Sequence, residues 1–138
     1  MKIKHKDYLT YEIPNNWIIE EDNDCTTIYN NNGNGALILS FYTIFELQNN
    51  IDEHISIMAK KFIEKNEIKI ETPLILEGNS KDKKILYGTG KLPDGDFFKI
   101  WIIAKYLKVI VATYNSKKKT AEIKDIDKII SSFEFKNL

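Results

Sequence analysis

Arginine is absent from this chain of 138 residues. All 20 basic residues are lysine, set against 20 Asp and Glu for a formal net charge of zero. Without a guanidinium fork there is no bidentate clamp for a carboxylate or phosphate, so any anion site must use lysine point charges or backbone N–H groups. The missing cationic excess also argues against a dedicated nucleic-acid binder, which neutralises phosphates with clustered positive charge. A single cysteine, Cys25, excludes an intramolecular disulfide. Apolar runs fall short of the roughly 18 residues that a membrane-spanning helix needs. The basic start, Met1 to Asp7, is not followed by the apolar stretch of a secretion signal. These absences predict a soluble, cytoplasmic protein with neither a membrane nor a nucleic acid as partner.

What is present is enough for a core. Apolar residues make up 43% of the chain and charged residues 29%, a balance that excludes intrinsic disorder. The length suits one domain, since domains commonly run about 100–150 residues. We therefore expect a single domain over residues 1–138, with residues 1–7 as a flexible N-terminal tail.

Strand patterns dominate the first third. Tyr8–Ile13 alternates and stops at Pro14, which cannot donate to a ladder. Trp17–Glu20 and Cys25–Tyr29 follow as strands around the acidic turn Glu21–Asp24. The stretch Asn30–Gly35 has residues tolerant of positive φ, the chemistry of a hairpin loop. Ala36–Phe45 is apolar on both faces, which predicts a central strand covered on both sides.

A helix is then expected from a cap at Asn50, with Glu53 as the reciprocal partner of a capping box. Its apolar stripe is Ile51, Ile55, Met58, Ala59, Phe62 and Ile63, and it fades near Asn66. Short strands are expected near Ile68–Thr72 and Leu74–Glu77. Lys84–Gly90 and Asp96–Ala104 flank the turn signal Leu92-Pro93-Asp94-Gly95. Tyr106–Tyr114 is another run apolar on both faces. Lys117–Lys119 would oppose the dipole of a helix's first turn, so a second helix is expected to start at Thr120. Its buried stripe would be Ile123, Ile126, Ile130 and Phe133, and Ser131–Phe135 would close the chain as a strand. Runs of strands broken by two amphipathic helices predict an α+β fold, a largely antiparallel sheet with one helix on each face.

In that order the chain resembles a known group. Ile13-Pro14-Asn15-Asn16-Trp17, the strand Gly35–Tyr42, Ala112–Asn115 and the closing Glu122–Phe133 segment with its Ile129-Ile130-Ser131-Ser132 resemble the PsbP-like superfamily. That group includes Mog-type Ran-binding proteins and bacterial domains of unknown function. The resemblance spans roughly Tyr8 to Phe135. It implies an α/β/α sandwich around an antiparallel sheet and a non-catalytic binding or accessory role, with no catalytic residues to carry over.

The residues themselves offer little chemistry. His5, His54 and Cys25 have no metal-ligand spacing, so neither a metal nor a cofactor is expected. Cys25 lies beside Asp22 and Asp24, not in the electropositive niche with a nearby base that a nucleophilic thiolate needs. Gly88-Thr89-Gly90-Lys91 lacks the spacing of a phosphate loop and reads as a strand end. Glu20, Glu21, Asp22 and Asp24 form the densest acidic cluster, able to attract a cation or a basic surface or simply to solvate a turn. Lys117, Lys118 and Lys119 raise the mirror image, an anionic partner. Trp101 shares a strand face with Phe97, Lys99 and Ile103, and would be a binding anchor if no helix covers that face.

These features favour a non-enzymatic module that binds another protein, for instance a bacterial accessory or immunity-type protein. The alternative is a small-ligand binder or weak enzyme with a pocket between the sheet and the helix that follows Asn50.

Overall fold

The computed structural model describes residues 1–44, 51–78 and 83–136. In chain order the strands β1 (Lys2–His5), β2 (Leu9–Glu12), β3 (Trp17–Glu21), β4 (Cys25–Asn30) and β5 (Gly35–Thr43) precede helix α1 (Ile51–Lys65). Then come β6 (Lys69–Ile70), β7 (Ile75–Glu77), β8 (Lys84–Lys91), β9 (Phe97–Lys105) and β10 (Lys108–Ser116). Helix α2 (Glu122–Ser131) and β11 (Glu134–Phe135) end the fold. An eight-stranded sheet runs β3-β4-β5-β10-β9-β8-β6, with β7 beside β8, and every pairing in it is antiparallel.

Side-chain alternation along the central strands sorts the core into two layers. Val109 and Val111 of β10 join Phe98, Ile100 and Ile102 of β9 under Ile55 and Ala59 of α1. Their neighbours Ile110, Ala112 and Tyr114 turn the other way, toward Ile123, Ile126, Ile129 and Ile130 of α2. Each valine, isoleucine or phenylalanine so removed from water contributes about 1.5–3 kcal/mol. Both helical stripes match the sequence pattern, and the α+β fold with two helices flanking a large antiparallel sheet stands as expected. Ile68 N–H closes α1 by bonding the Ile63 carbonyl at 3.0 Å, with Glu67 at φ 53° in the left-handed position that ends helices. The cap expected at Asn50 lies outside the described residues.

The α2 side holds a second sheet that the sequence pattern did not separate. Strands β1, β2 and β11 form a three-stranded antiparallel sheet. Tyr8, Leu9, Tyr11 and Ile13 pack with Phe133 and α2 into the same core layer. Residues 1–7 are therefore not simply a tail: Lys2–His5 pairs in register with Leu9–Glu12. The Met1 amino group also reaches the Ile13 carbonyl at 2.7 Å.

Two features of the central strands differ from expectation. Lys105 pairs with Lys108, leaving Tyr106 and Leu107 as a two-residue turn at φ 52° and 65°. Positive φ at both central positions is the type I′ hairpin, which normally recruits Asn and Gly. The cover over β5 is also one-sided. Leu37 and Leu39 are fully buried on the α2 side, whereas Ile38 and Ser40 are only half-buried and Tyr42 is exposed on the other. Helix α1 lies over β8, β9 and β10 and does not extend that far.

The Asn30–Gly35 loop uses its glycines for space. Gly95 is the one glycine at positive φ among the described residues, in the Pro93-Asp94-Gly95 turn as expected. A Cβ on Gly33 would instead run into the Glu122 carboxylate.

Candidate functional site

The β3–β4 hairpin divides the acidic cluster. Glu20 accepts a hydrogen bond from Tyr29 Oη at 2.8 Å on the α1 side of the sheet. Glu21 points to the opposite face, where its Oε1 lies 3.3 Å from His5 Nδ1. Asp22 Oδ1 accepts the Asn23 N–H at 2.6 Å within the turn. Glu21, Asp22 and Asp24 line a polar cleft of about 480 Å³, and Glu20 is not among its lining residues.

Strand β1 forms the other wall of that cleft. His5 stacks on Phe41 at 4.3 Å, Lys6 Nζ lies 5.6 Å from the same ring, and Lys4 also lines the cleft. Burial holds the His5 imidazole below its usual pKa, against the upward pull of Glu21 and with Lys6 adding to the depression. The half-buried Cys25 lines the same cleft. Among the described residues no three His, Cys, Asp or Glu side chains converge as a metal site. His54 sits on α1, across the main sheet from His5.

Lys117, Lys118 and Lys119 are exposed in the loop between β10 and α2. They line a cleft of about 370 Å³ together with Lys91, Thr72 and Thr89.

Trp101 is a core residue. It is 4% exposed beneath the α2 side of the sheet, so the condition for it to anchor a partner is not met. The neighbouring Lys99 extends across it, 4.9 Å from the Trp101 ring and 5.5 Å from that of Tyr87. Lys99 Nζ ends 2.9 Å from Asp127 Oδ1 of α2. A shallow cleft of about 260 Å³ lies over this group. None of these three clefts is lined by α1, whose sheet-facing side is filled by apolar side chains. The ligand pocket expected beside α1 gains no support.

One surface feature escaped the sequence reading. The β9–β10 turn presents Tyr106 at 38% exposure and Leu107 at 41%. Tyr42, 50% exposed, stands near the same end of the sheet, because its partner Val109 is two residues past Leu107. Lys105 Nζ lies 4.8 Å from the Tyr106 ring, and Lys108 Nζ lies 3.3 Å from Thr43 Oγ1. The result is an apolar tip flanked by ammonium groups, built on a backbone geometry that its residue types disfavour. A Lys-Tyr-Leu-Lys string has no turn residue, so nothing in the sequence marks it.

The architecture is found in solved structures of low sequence identity. Cyanobacterial PsbP (CyanoP) from Synechocystis sp. PCC 6803 matches with a TM-score of 0.70 and 10% identity, covering 93% of this chain and 86% of its own. The Saccharomyces cerevisiae Ran-binding protein Mog1p matches with a TM-score of 0.58 and 10% identity, over 91% of this chain and 89% of its own. A protein from Bacteroides thetaiotaomicron VPI-5482 matches over 94% of this chain with a TM-score of 0.61 and 13% identity, and this chain spans 45% of its length. No protein-family model and no curated protein matches the sequence. No helix among the described residues is long and apolar enough to cross a membrane. The chain has the fold of PsbP and Mog1, as its motifs from Ile13–Trp17 to Phe133 implied.

Proposed function

We propose that the chain is a non-catalytic protein-binding module and that the β9–β10 turn is its docking element. The observation that carries this reading is the type I′ turn at Tyr106 and Leu107. Left-handed φ costs an L-residue about 1–2 kcal/mol, set here against the Ile44 N–H bond to the Leu107 carbonyl at 2.7 Å and the Lys105 ammonium over the Tyr106 ring, while both side chains stay partly in water. Strain kept at an exposed apolar site is accounted for if the side chains are presented to something else. Aromatic and apolar anchors of this kind carry most of the energy of protein interfaces. The flanking Lys105 and Lys108 fix the chemistry of the partner: an apolar recess edged by carboxylates on another protein. The shared fold with a Ran-binding protein agrees with a protein partner.

The test is comparative co-purification with the Tyr106→Asn/Leu107→Gly variant, which keeps the turn in its preferred residue types. A protein retained by the wild type, lost by the variant and released as salt rises is the expected result. Retention of the same partners by both proteins would overturn the reading. So would a concentration-dependent dimer that disappears in the variant, because a second copy would then occupy the tip.

A further inference from the structure

We infer that the cleft between the β8 end and the β10–α2 loop binds a small soluble compound carrying a diphosphate or similarly dense phosphoryl charge. The register across three strands creates it. Lys91 pairs with Phe97, and Phe97 pairs in turn with Ser116. Lys91 thus stands about two strand spacings, roughly 10 Å, from the start of the Lys117–Lys119 run. Four lysines, Lys91 and Lys117–Lys119, line the cleft against one acidic residue, Glu71. In a chain with no net charge this is a concentrated local excess. A concave surface of one sign focuses its field on whatever enters.

The hydroxyl pair on the cleft wall supplies direction. Thr89 N–H donates to Thr72 Oγ1 at 3.0 Å, and the two threonine hydroxyl oxygens lie 2.8 Å apart. One hydroxyl proton is used between them, which leaves the other free to donate to a ligand oxygen. Lysine ammoniums are compact charges without the planar fork of arginine, so they select by charge density more than by shape. That preference favours a phosphoryl group over a single carboxylate. The volume, about 370 Å³, falls within the usual range for small-ligand sites.

The site is separate from the docking tip, and its test does not depend on a protein partner. Pyrophosphate is titrated into the full chain at low salt, followed by calorimetry and by backbone amide shifts, with sulfate at matched ionic strength as the control. Saturable binding is expected, with shifts at Thr72, Thr89, Lys91 and residues 117–119. Affinity should fall about tenfold or more in Lys117→Gln/Lys118→Gln/Lys119→Gln and by a smaller factor in Lys91→Gln. All four positions are exposed, so melting of the variants without ligand should match wild type. Absence of pyrophosphate binding, equal affinity for sulfate, or unchanged binding by the triple variant would overturn the assignment. Binding confined to vesicles bearing phosphorylated inositol headgroups would overturn it as well.

Discussion

Tyr114 donates its phenolic proton to Glu122 across 2.7 Å, joining the central strand β10 to the first turn of α2. The same carboxylate accepts the backbone N–H of Gly35 at 3.0 Å and that of Asn34 at 3.2 Å. Helix, sheet and the β4–β5 loop therefore meet on one buried carboxylate. Replacing Glu122 with Ala would strand a buried hydroxyl and two amide donors, at a cost of about 3 kcal/mol. Glu122→Gln should cost less, because its amide oxygen still accepts. Denaturant midpoints with unchanged slopes would check both values.

The two fully buried tyrosines of the α2 layer, Tyr11 and Tyr114, should respond in opposite ways to loss of the hydroxyl. Tyr114→Phe removes a hydrogen bond to a carboxylate and should cost about 2 kcal/mol. Tyr11 Oη is buried without a hydrogen-bond partner among the described residues. Tyr11→Phe removes that burden and should be neutral or stabilising by about 0.5 kcal/mol. Equilibrium unfolding of the two single variants decides the comparison.

Both phenols also predict the alkaline limit of the fold. Burial pushes Tyr11 and Tyr114 up to about 12 from an ordinary value of 10.0, with Glu21 adding to the first and the Glu122 hydrogen bond to the second. Above pH 10 the unfolded chain loses these protons while the folded chain holds them. Their contribution is complete below pH 10 and is lost as pH rises toward 12. The Tyr11→Phe/Tyr114→Phe double variant should show a flatter dependence of melting temperature on pH in that range.

His5 acts at the other end of the scale. Its folded pKa is lowered from 6.5, chiefly by burial against Phe41. Below pH 6.5 the unfolded chain therefore takes a proton that the folded chain resists. Stability should fall as pH drops from 6.5 toward the folded value. His5→Phe, which keeps the stacking surface, should remove that part of the slope. An imidazole titration by NMR with a midpoint above 6.5 for His5 would contradict the assignment.

Ile126 tests the register of α2 directly. It is fully buried at the centre of the helix stripe. Ile126→Asp would place an unpaired charge in the core, at a cost of more than about 4 kcal/mol. That is a large share of the roughly 5–15 kcal/mol that holds a domain together, so the cooperative melt should vanish or shift far down.

Local periodicity and turn chemistry were readable from the residues alone. The α1 and α2 stripes and the Pro93-Asp94-Gly95 turn follow from the spacing of isoleucines and from one glycine at φ 93°. Features set by distant pairing were not. Lys2–His5 looks like a charged tail until Leu9–Glu12 pairs with it. Glu122 reads as a solvated charge at a helix start, and its burial depends on amides 87 and 88 positions earlier. Lys91 joins Lys117–Lys119 only through the register across β9, and Trp101 is covered only because α2 crosses its face. The apolar character of β5 exceeded the cover it receives, since the length of α1 and its placement over β8–β10 are tertiary outcomes.

The stability of Tyr106→Asn/Leu107→Gly, measured by denaturant unfolding, bears most directly on the docking reading. Asparagine and glycine suit two left-handed positions, so the variant should be more stable than wild type by about 1–2 kcal/mol. That gain would mean the native turn forgoes stability to display its side chains. A variant less stable than wild type would show instead that Tyr106 and Leu107 hold the hairpin together, and the case for a docking tip would fail.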